Sequence, residues 1–269
     1  MVAGVEICGP PIEVRLLGAL RIDRNGIPMP MPASRKVRAL FGWLALAPRP
    51  VARETLCDLL WDAPSDPRGE LRWCLSKIRS LVDEPGRPRV RTGEDGIVLD
   101  LAGCFVDAIE VARAVEAGIE TLALPRQRAL AALFDGEFLE GLEIERSPAF
   151  SAWLTAQRRR FRGCRVALLQ HLAGTVADDE AFGYLEQWLQ LARFDRHVHE
   201  RFLTMLVRCD RIREGEEHLA AAARLFEAEG LDWSPIRSAW RSIRAGQSGP
   251  VRGLPSDPAM AASGGGGRP

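Results

Sequence analysis

The sequence predicts an α+β winged helix-turn-helix followed by an all-α, tetratricopeptide-like helical domain. Three observations carry this prediction. Residues 12–31 alternate apolar and polar side chains, as short strands do; residues 34–100 follow the order helix, short strand, helix, basic helix and hairpin; and residues 105–245 show helical apolar spacing. The predicted domains are therefore 12–104 and 105–245. The Gly- and Pro-rich stretch 246–269 is expected to be a disordered tail, or a linker.

The first predicted element is a small antiparallel sheet. Residues 12–16 and 20–22 alternate as half-buried strands should. Asn25 and Gly26 then supply a two-residue hairpin turn, in which both residues need positive φ. Prolines end the sheet, and Ser34 is placed to cap the first long helix.

Three helices and a hairpin follow the sheet. The third helix begins near Asp66 and Pro67 and carries an apolar stripe at positions 71, 75, 78 and 82, which packs it on the domain. Trp73 falls off this stripe. Partial burial within the domain is favoured for its ring, over stacking on a sugar or contact with a protein partner. Residues 89–100 form the terminal hairpin, or wing, with its tip at 94–96.

The outward face of the third helix is rich in hydrogen-bond donors. A helix that reads a major groove needs one side for packing and another side that offers donors to phosphates and base edges. Arg72 and Ser76 are central, and we expect them to contact bases. Arg68, Lys77 and Arg79 are expected to bind phosphates. The alternative is a solvated helix face, because arginine is common on protein surfaces.

Two further basic groups extend this predicted interface. Arg89 and Arg91 alternate along the first wing strand, which predicts that both lie on one side of the hairpin, within reach of a phosphate. Arg35, Lys36 and Arg38 open the first helix, where they would either contact the DNA backbone or be ordinary exposed residues. The sequence does not decide between these two readings.

The region from about residue 105 is predicted to hold about seven helices. Trp153–Leu154 and Trp188–Leu189 are 35 residues apart. Tetratricopeptide repeats have a period of about 34 residues. The alternative is an ordinary helical bundle in which the tryptophans fill the core.

Composition excludes several functional classes. Residues 1–104 hold 15 basic and 13 acidic side chains, so DNA affinity must depend on where the charges lie. The six cysteines form no CxxC pair, which argues against zinc and redox sites and favours reduced thiols. His197 and His199 diverge on a helix and cannot share a metal. No catalytic residue, metal ligand or cofactor is predicted, so an enzyme is not expected.

The chain shows neither a secretory signal pattern nor an apolar run of about 20 residues that would span a bilayer. The sequence therefore predicts a cytoplasmic protein associated with the nucleoid, without a membrane partner.

With these residues in view, the chain resembles the Streptomyces antibiotic regulatory protein (SARP) family. The matching segments, an OmpR-type winged helix followed by a bacterial transcriptional activator domain, are 14–18, 34–40, 53–56, 60–61, 71–72, 75–79, 106–107, 136–141, 150–154 and Arg158. The resemblance implies a transcriptional regulator, usually an activator, that binds direct repeats of double-stranded DNA near promoters and contacts RNA polymerase. No Gly-x-x-x-x-Gly-Lys-Ser/Thr loop is present, so the chain resembles only the short form of the family.

Two functional hypotheses remain open at this stage. In the first, the chain is a sequence-specific DNA-binding regulator, which self-associates through its helical domain or contacts polymerase with it. In the second, it is a protein-interaction adaptor whose helical domain binds a partner and whose winged helix does not read DNA. The near-neutral charge of the first domain supports the adaptor, and salt dependence of duplex binding separates the two hypotheses.

Overall fold

The structure, a computed structural model, describes residues 11–61 and 66–247. The predicted helices, the N-terminal sheet and the wing occur in the predicted order, with one short 3-10 helix at Ile119–Thr121. The short strand predicted between the first two helices is reduced to an isolated bridge at Val51. The elements are β1 (Ile12–Arg15), β2 (Arg21–Arg24), β3 (Ile27–Pro28), α1 (Arg35–Leu46), α2 (Arg53–Leu60), α3 (Pro67–Val82), β4 (Val90–Gly93), β5 (Gly96–Leu99), β6 (Phe105–Val106), α4 (Asp107–Ala117), α5 (Leu124–Ala131), α6 (Pro148–Thr175), α7 (Asp178–Leu191), α8 (Arg196–Arg208), α9 (Ile212–Ala228) and α10 (Ser234–Gln247).

The N-terminal sheet forms as predicted and gains one strand. β1 and β2 pair antiparallel, and Asn25 and Gly26 turn the chain into β3 with φ values of 50° and 76°. The additional strand is β6, which pairs parallel to β1 and gives the order β3-β2-β1-β6. The sequence predicted helix from Phe105 onward, but the helix begins at Asp107 because residues 105–106 extend the sheet.

Three helices follow this sheet and pack against one another. Ser34 caps α1 as predicted, since its hydroxyl accepts a hydrogen bond from the Val37 N–H at 3.5 Å. α1 contacts both α2 and α3, and the side chains of α3 at 71, 74, 75, 78 and 82 are buried. The predicted apolar stripe is therefore the packing face of α3.

The wing is a two-stranded hairpin whose tip lies at Glu94 and Asp95, as predicted. Its second strand is tied to the loop between α1 and α2. Val51 and Ile97 exchange both backbone hydrogen bonds, with N···O distances of 3.0 and 2.8 Å. This pairing fixes the wing against the loop between α1 and α2.

An irregular segment, residues 132–147, joins the sheet to the long helix α6. Backbone N–H groups of Leu139 and Asp135 donate to the carbonyl oxygens of Leu16 and Leu17, at 2.8 and 2.9 Å. Arg158 of α6 holds the segment from the other side, because its guanidinium donates to three backbone carbonyl oxygens at 3.0 to 3.3 Å. One hydrophobic core consequently runs without interruption from β1 to α6.

The described residues form two compact units that divide between Arg193 and Phe194. The first holds the winged helix and α4 to α7. The second holds α8 to α10 around its own core of Leu203, Val207, Phe226, Ile236 and Trp240. The hydrophobic core of the first unit continues across the predicted domain boundary between residues 104 and 105. Separate domains on the two sides of this boundary stay a prediction. The predicted tail lies outside the described residues, except that positions 246 and 247 end α10.

The region after β6 holds seven α-helices within the described residues, which agrees with the predicted number. Trp153 lies near the start of α6 and Trp188 near the end of α7, and these are consecutive helices. Equivalent positions of a helix-pair repeat would lie two helices apart. The two tryptophans are therefore not equivalent positions of a helix-pair repeat, although α6 and α7 pack against each other.

Candidate nucleic-acid interface

A basic groove lies between the start of α2, the exposed side of α3 and the wing. Its volume is about 520 Å³. Four arginines and one glutamate supply its charged lining, with Thr92 contributed by β4. The lining residues are Arg53, Glu54, Arg68, Leu71, Arg72, Leu75, Arg79 and Thr92. We call this the arginine groove.

The start of α3 sets the direction of the groove. The Asp66 carboxylate caps the helix by accepting the Gly69 N–H at 2.8 Å, and Pro67 occupies the first turn, where its missing N–H costs nothing. Arg68, Arg72 and Arg79 then recur at helical spacing. They lie on one side of α3, next to the apolar side that packs on the domain.

The groove arginines keep their guanidinium groups available to a ligand. Arg68 pairs with Glu54 at 3.4 Å, but both side chains are about 70% exposed, so this ion pair is weak. Within residues 11–61 and 66–247, the side chains of Arg53, Arg72 and Arg79 make no ion pair. The groove therefore carries excess positive charge although its domain is almost neutral.

Three other outward residues of α3 lie beside the groove and do not line it. Ser76 and Lys77 are exposed, as predicted. Trp73 is 48% exposed, and the Lys77 Nζ lies 5.6 Å from the centroid of its indole ring. The solvent-facing surface of α3 thus offers one aromatic ring in addition to its donors.

The prediction for Arg89 is wrong. Its side chain is fully buried, pairs with Glu84 at 2.7 Å and donates to the backbone carbonyl oxygens of Asp100 and Ala102. The physical reason is that β4 begins one residue later, at Val90, so the strand alternation does not extend to Arg89. Arg89 therefore stabilises the base of the wing and cannot reach a phosphate.

Arg91 and the basic residues of α1 lie outside the arginine groove. Arg91 is 62% exposed and pairs with Asp100 at 3.2 Å. Arg35 is exposed. Lys36 lies over the Trp61 ring at 5.1 Å, and the Arg38 guanidinium donates to the backbone carbonyl oxygen of Ala33, just before α1. Their contact with DNA stays a prediction.

Sequence reasoning missed three polar residues of the groove, Arg53, Glu54 and Thr92. Arg53 is the first residue of α2, and Thr92 lies on the wing strand, on the face opposite Arg91. The position of Arg53 could have been predicted from the sequence, since the start of the second helix of a helix-turn-helix lies beside the third helix. The position of Thr92 could not have been predicted, because it depends on the exact residue at which the strand begins.

The remaining reactive groups do not assemble into a second site in the described ranges. No three His, Cys, Asp or Glu side chains there are placed to hold a metal ion. Cys57, Cys74, Cys104, Cys164 and Cys209 are free thiols. Burial raises the pKa of Cys74 to about 11, which disfavours the reactive thiolate. In the same ranges, no helix is long and apolar enough to cross a membrane.

One histidine pair was not foreseen from the sequence. His199 Nδ1 lies 3.0 Å from His218 Nε2, and Phe202 stacks on the His218 ring. His197, which the sequence brought to attention together with His199, lies instead on the exposed side of α8 beside Glu200. The spacing of residues within one helix does not predict a contact between two different helices.

No protein-family model and no curated protein matches this chain. The chain is similar to a solved structure of Mycobacterium tuberculosis EmbR in complex with a low-affinity phosphopeptide. The TM-score is 0.68 at 22% sequence identity, and the match covers 88% of this chain. The chain spans 65% of the length of that structure.

At this level of identity the likeness shows the fold. Because the match covers most of the chain, it confirms the predicted fold class. The chain therefore has the architecture that its sequence predicts, a winged helix followed by a helical region.

Proposed function

We propose that this protein is a DNA-binding transcriptional regulator of the SARP kind. The observation that carries the proposal is the arginine groove, which places four guanidinium groups along the start of α2 and one side of α3. Phosphate contacts provide most of the non-specific affinity of such proteins, and base contacts provide the specificity.

We propose separate roles for the residues along α3. With α3 in a major groove, Arg72 and Ser76 lie at the middle of its outward side, so they are the residues proposed to contact base edges. We propose that three neighbours bind phosphates: Arg68, one turn from Arg72; Arg79, two turns from Arg72; and Lys77 beside them. Arginine can bind both acceptors of a guanine at once, which makes Arg72 the main candidate for sequence discrimination.

The wing and α2 would hold the duplex on either side of α3. Arg53 and Thr92 border the groove at its two walls, and each offers a donor to the sugar-phosphate backbone. Arg91, exposed on the other face of the wing, is proposed to contact the backbone as well, once its surface ion pair with Asp100 opens.

The finer features follow from the resemblance to the family. We propose activation of transcription, binding to direct repeats and contact with RNA polymerase, with self-association through the helical region as a further property. Direct repeats would place two copies head to tail, so no two-fold axis is required.

Selection from a randomised duplex library tests the proposal. Purified protein should enrich a short motif, repeated at a spacing of about one helical turn, and bound DNA should fall steeply as salt rises. If no motif is enriched and the binding that remains is insensitive to salt, the adaptor hypothesis is favoured and the proposal fails.

Substitution then tests the assignment of the reading side. Arg72→Ala should weaken binding to the selected motif by about 1–3 kcal/mol and relax preference at one base position. Arg159→Ala is the matched control, because Arg159 is an exposed arginine of α6 outside the groove. Equal binding by both variants would show that the reading side is assigned wrongly.

A further inference from the structure

A second cavity, of about 420 Å³, lies between the α1–α2 loop and α6. We propose that it binds a planar aromatic carboxylic acid that also carries a hydroxyl or N–H group. Its volume falls in the range of small-molecule sites, roughly 300–1,000 Å³. Aromatic, cationic and acceptor groups converge on it, and these three features define the chemistry of the ligand.

The aromatic wall comes from two tryptophans. Trp43 of α1 and Trp153 of α6 have ring centroids 4.7 Å apart, and both side chains are half-buried at the cavity. Their planes are tilted by 48°, so the rings form a wedge. The two rings already pack on each other, so a flat aromatic ligand would lie against the parts of both indoles that line the cavity, in edge or offset contact.

The polar groups lie on the same side of α6 as Trp153. Gln157 follows one turn later, and its Oε1 is buried without a hydrogen-bond partner among the described residues. A buried acceptor without a donor is costly, and a ligand hydroxyl or N–H would satisfy it. This atom therefore selects a ligand that can donate.

Two arginines give the cavity its preference for an anion. Arg160 lies one turn beyond Gln157, and Arg49 extends from the α1–α2 loop. Arg160 pairs with Glu116 at 3.1 Å, but Glu116 is 69% exposed, so a ligand carboxylate can replace it at little cost. Guanidinium and carboxylate form short, charge-assisted hydrogen bonds.

An occupant would also touch the loop that holds the wing. Val51 lines the cavity and exchanges two backbone hydrogen bonds with Ile97 of β5. Two residues later, Arg53 lines the arginine groove. A ligand that shifts or stiffens this loop should change duplex affinity. This coupling rests on the proposed DNA-binding function, whereas ligand binding itself does not.

Calorimetric titration with 6-hydroxy-2-naphthoate tests the site directly. The full chain should bind this probe saturably, with a dissociation constant below about 1 mM. 2-Naphthoate, which lacks the hydroxyl, and 2-naphthol, which lacks the carboxylate, should each bind more weakly. Absence of saturable binding by the hydroxynaphthoate would overturn the proposal.

Two variants assign the polar contacts. Arg160→Gln should weaken the probe about tenfold, as expected for loss of a charge-assisted bond. Gln157→Leu should abolish the preference for 6-hydroxy-2-naphthoate over 2-naphthoate. Arg159→Gln is the control, since this neighbour does not line the cavity. If Arg160→Gln and Arg159→Gln bind the probe equally, or the hydroxyl preference survives in Gln157→Leu, the cavity is not the site.

Duplex binding with and without the probe tests the coupling. We expect a change in duplex affinity for the wild-type chain that is lost in Arg160→Gln. If the probe binds and duplex affinity does not change, the coupling is wrong and the binding site stands. If no duplex binds under any condition, the proposed function fails, while the titration still decides whether the cavity is a ligand site.

Discussion

Replacement of Gly96 by alanine should disrupt the anchoring of the wing. Gly96 begins β5 with a φ of +125°, a conformation that side-chain-bearing residues rarely adopt. A Cβ at this position would lie 2.5 Å from the Val51 carbonyl oxygen and 2.7 Å from the Val51 carbonyl carbon. Both atoms belong to the backbone, so a side-chain rotation cannot relieve the clash.

Two contributions set the expected size of the effect. A non-glycine residue in such a conformation costs about 1–3 kcal/mol. Moving Val51 away also strains its two hydrogen bonds with Ile97, and each typical hydrogen bond contributes about 0.5–1.5 kcal/mol to stability. We therefore expect Gly96→Ala to lower the free energy of unfolding by about 2–6 kcal/mol.

Gly93→Ala is the matched control. Gly93 pairs with Gly96 across the same hairpin, yet it has no left-handed φ, and an added Cβ would meet nothing within 4 Å. Urea unfolding followed by circular dichroism should place this variant within about 1 kcal/mol of the wild type. Equal stability of the two alanine variants would refute the argument that the wing is held by this close approach.

Three further predictions follow from the same packing. Arg89→Ala should lower the free energy of unfolding, measured in urea, by about 3 kcal/mol or more, because it breaks a buried ion pair. Arg91→Ala should lower it by less than about 1 kcal/mol and should instead weaken duplex binding. The reverse order of the two stabilities would contradict the roles given to these arginines. Asp107→Ala should cost about 2–4 kcal/mol, since its buried carboxylate accepts three backbone N–H groups; stability like that of the wild type would contradict this. Burial and then the neighbouring His199 lower the pKa of His218 from 6.5 to about 4. Between these two pH values His218 is protonated in the unfolded chain but not in the folded chain. The free energy of unfolding should therefore fall on acidification through this window, by up to about 1.4 kcal/mol per pH unit. Urea unfolding at several pH values should show a weaker pH dependence for His218→Gln.

The parts of the fold that depend on neighbouring residues were predictable from the sequence. The turn at Asn25 and Gly26 needs two residues that tolerate positive φ, and the cap at Ser34 needs a side-chain acceptor just before a helix. The buried side of α3 follows from spacing alone, because residues three and four apart share a face.

The parts that depend on tertiary contacts were not predictable in this way. β6 is only two residues long and exists because β1 offers it a parallel edge. The pair of His199 and His218 joins two helices, and local spacing cannot report it. Arg89 shows the same limit within one strand, since a shift of one residue in where β4 begins moves a side chain from solvent to the interior.

The charge of the winged helix shows why position matters more than composition. Acidic residues nearly balance basic ones over residues 1–104, yet the acids are used elsewhere: Asp66 caps α3 and Glu84 neutralises the buried Arg89. Glu54 is the acid that lines the groove, and its ion pair is exposed and weak. The arginines of α3 meanwhile recur on one side of the helix, so their fields add where a duplex would lie. The salt dependence of duplex binding should therefore follow the number of groove arginines and not the net charge of the domain, because counterion release counts only the phosphates that are contacted.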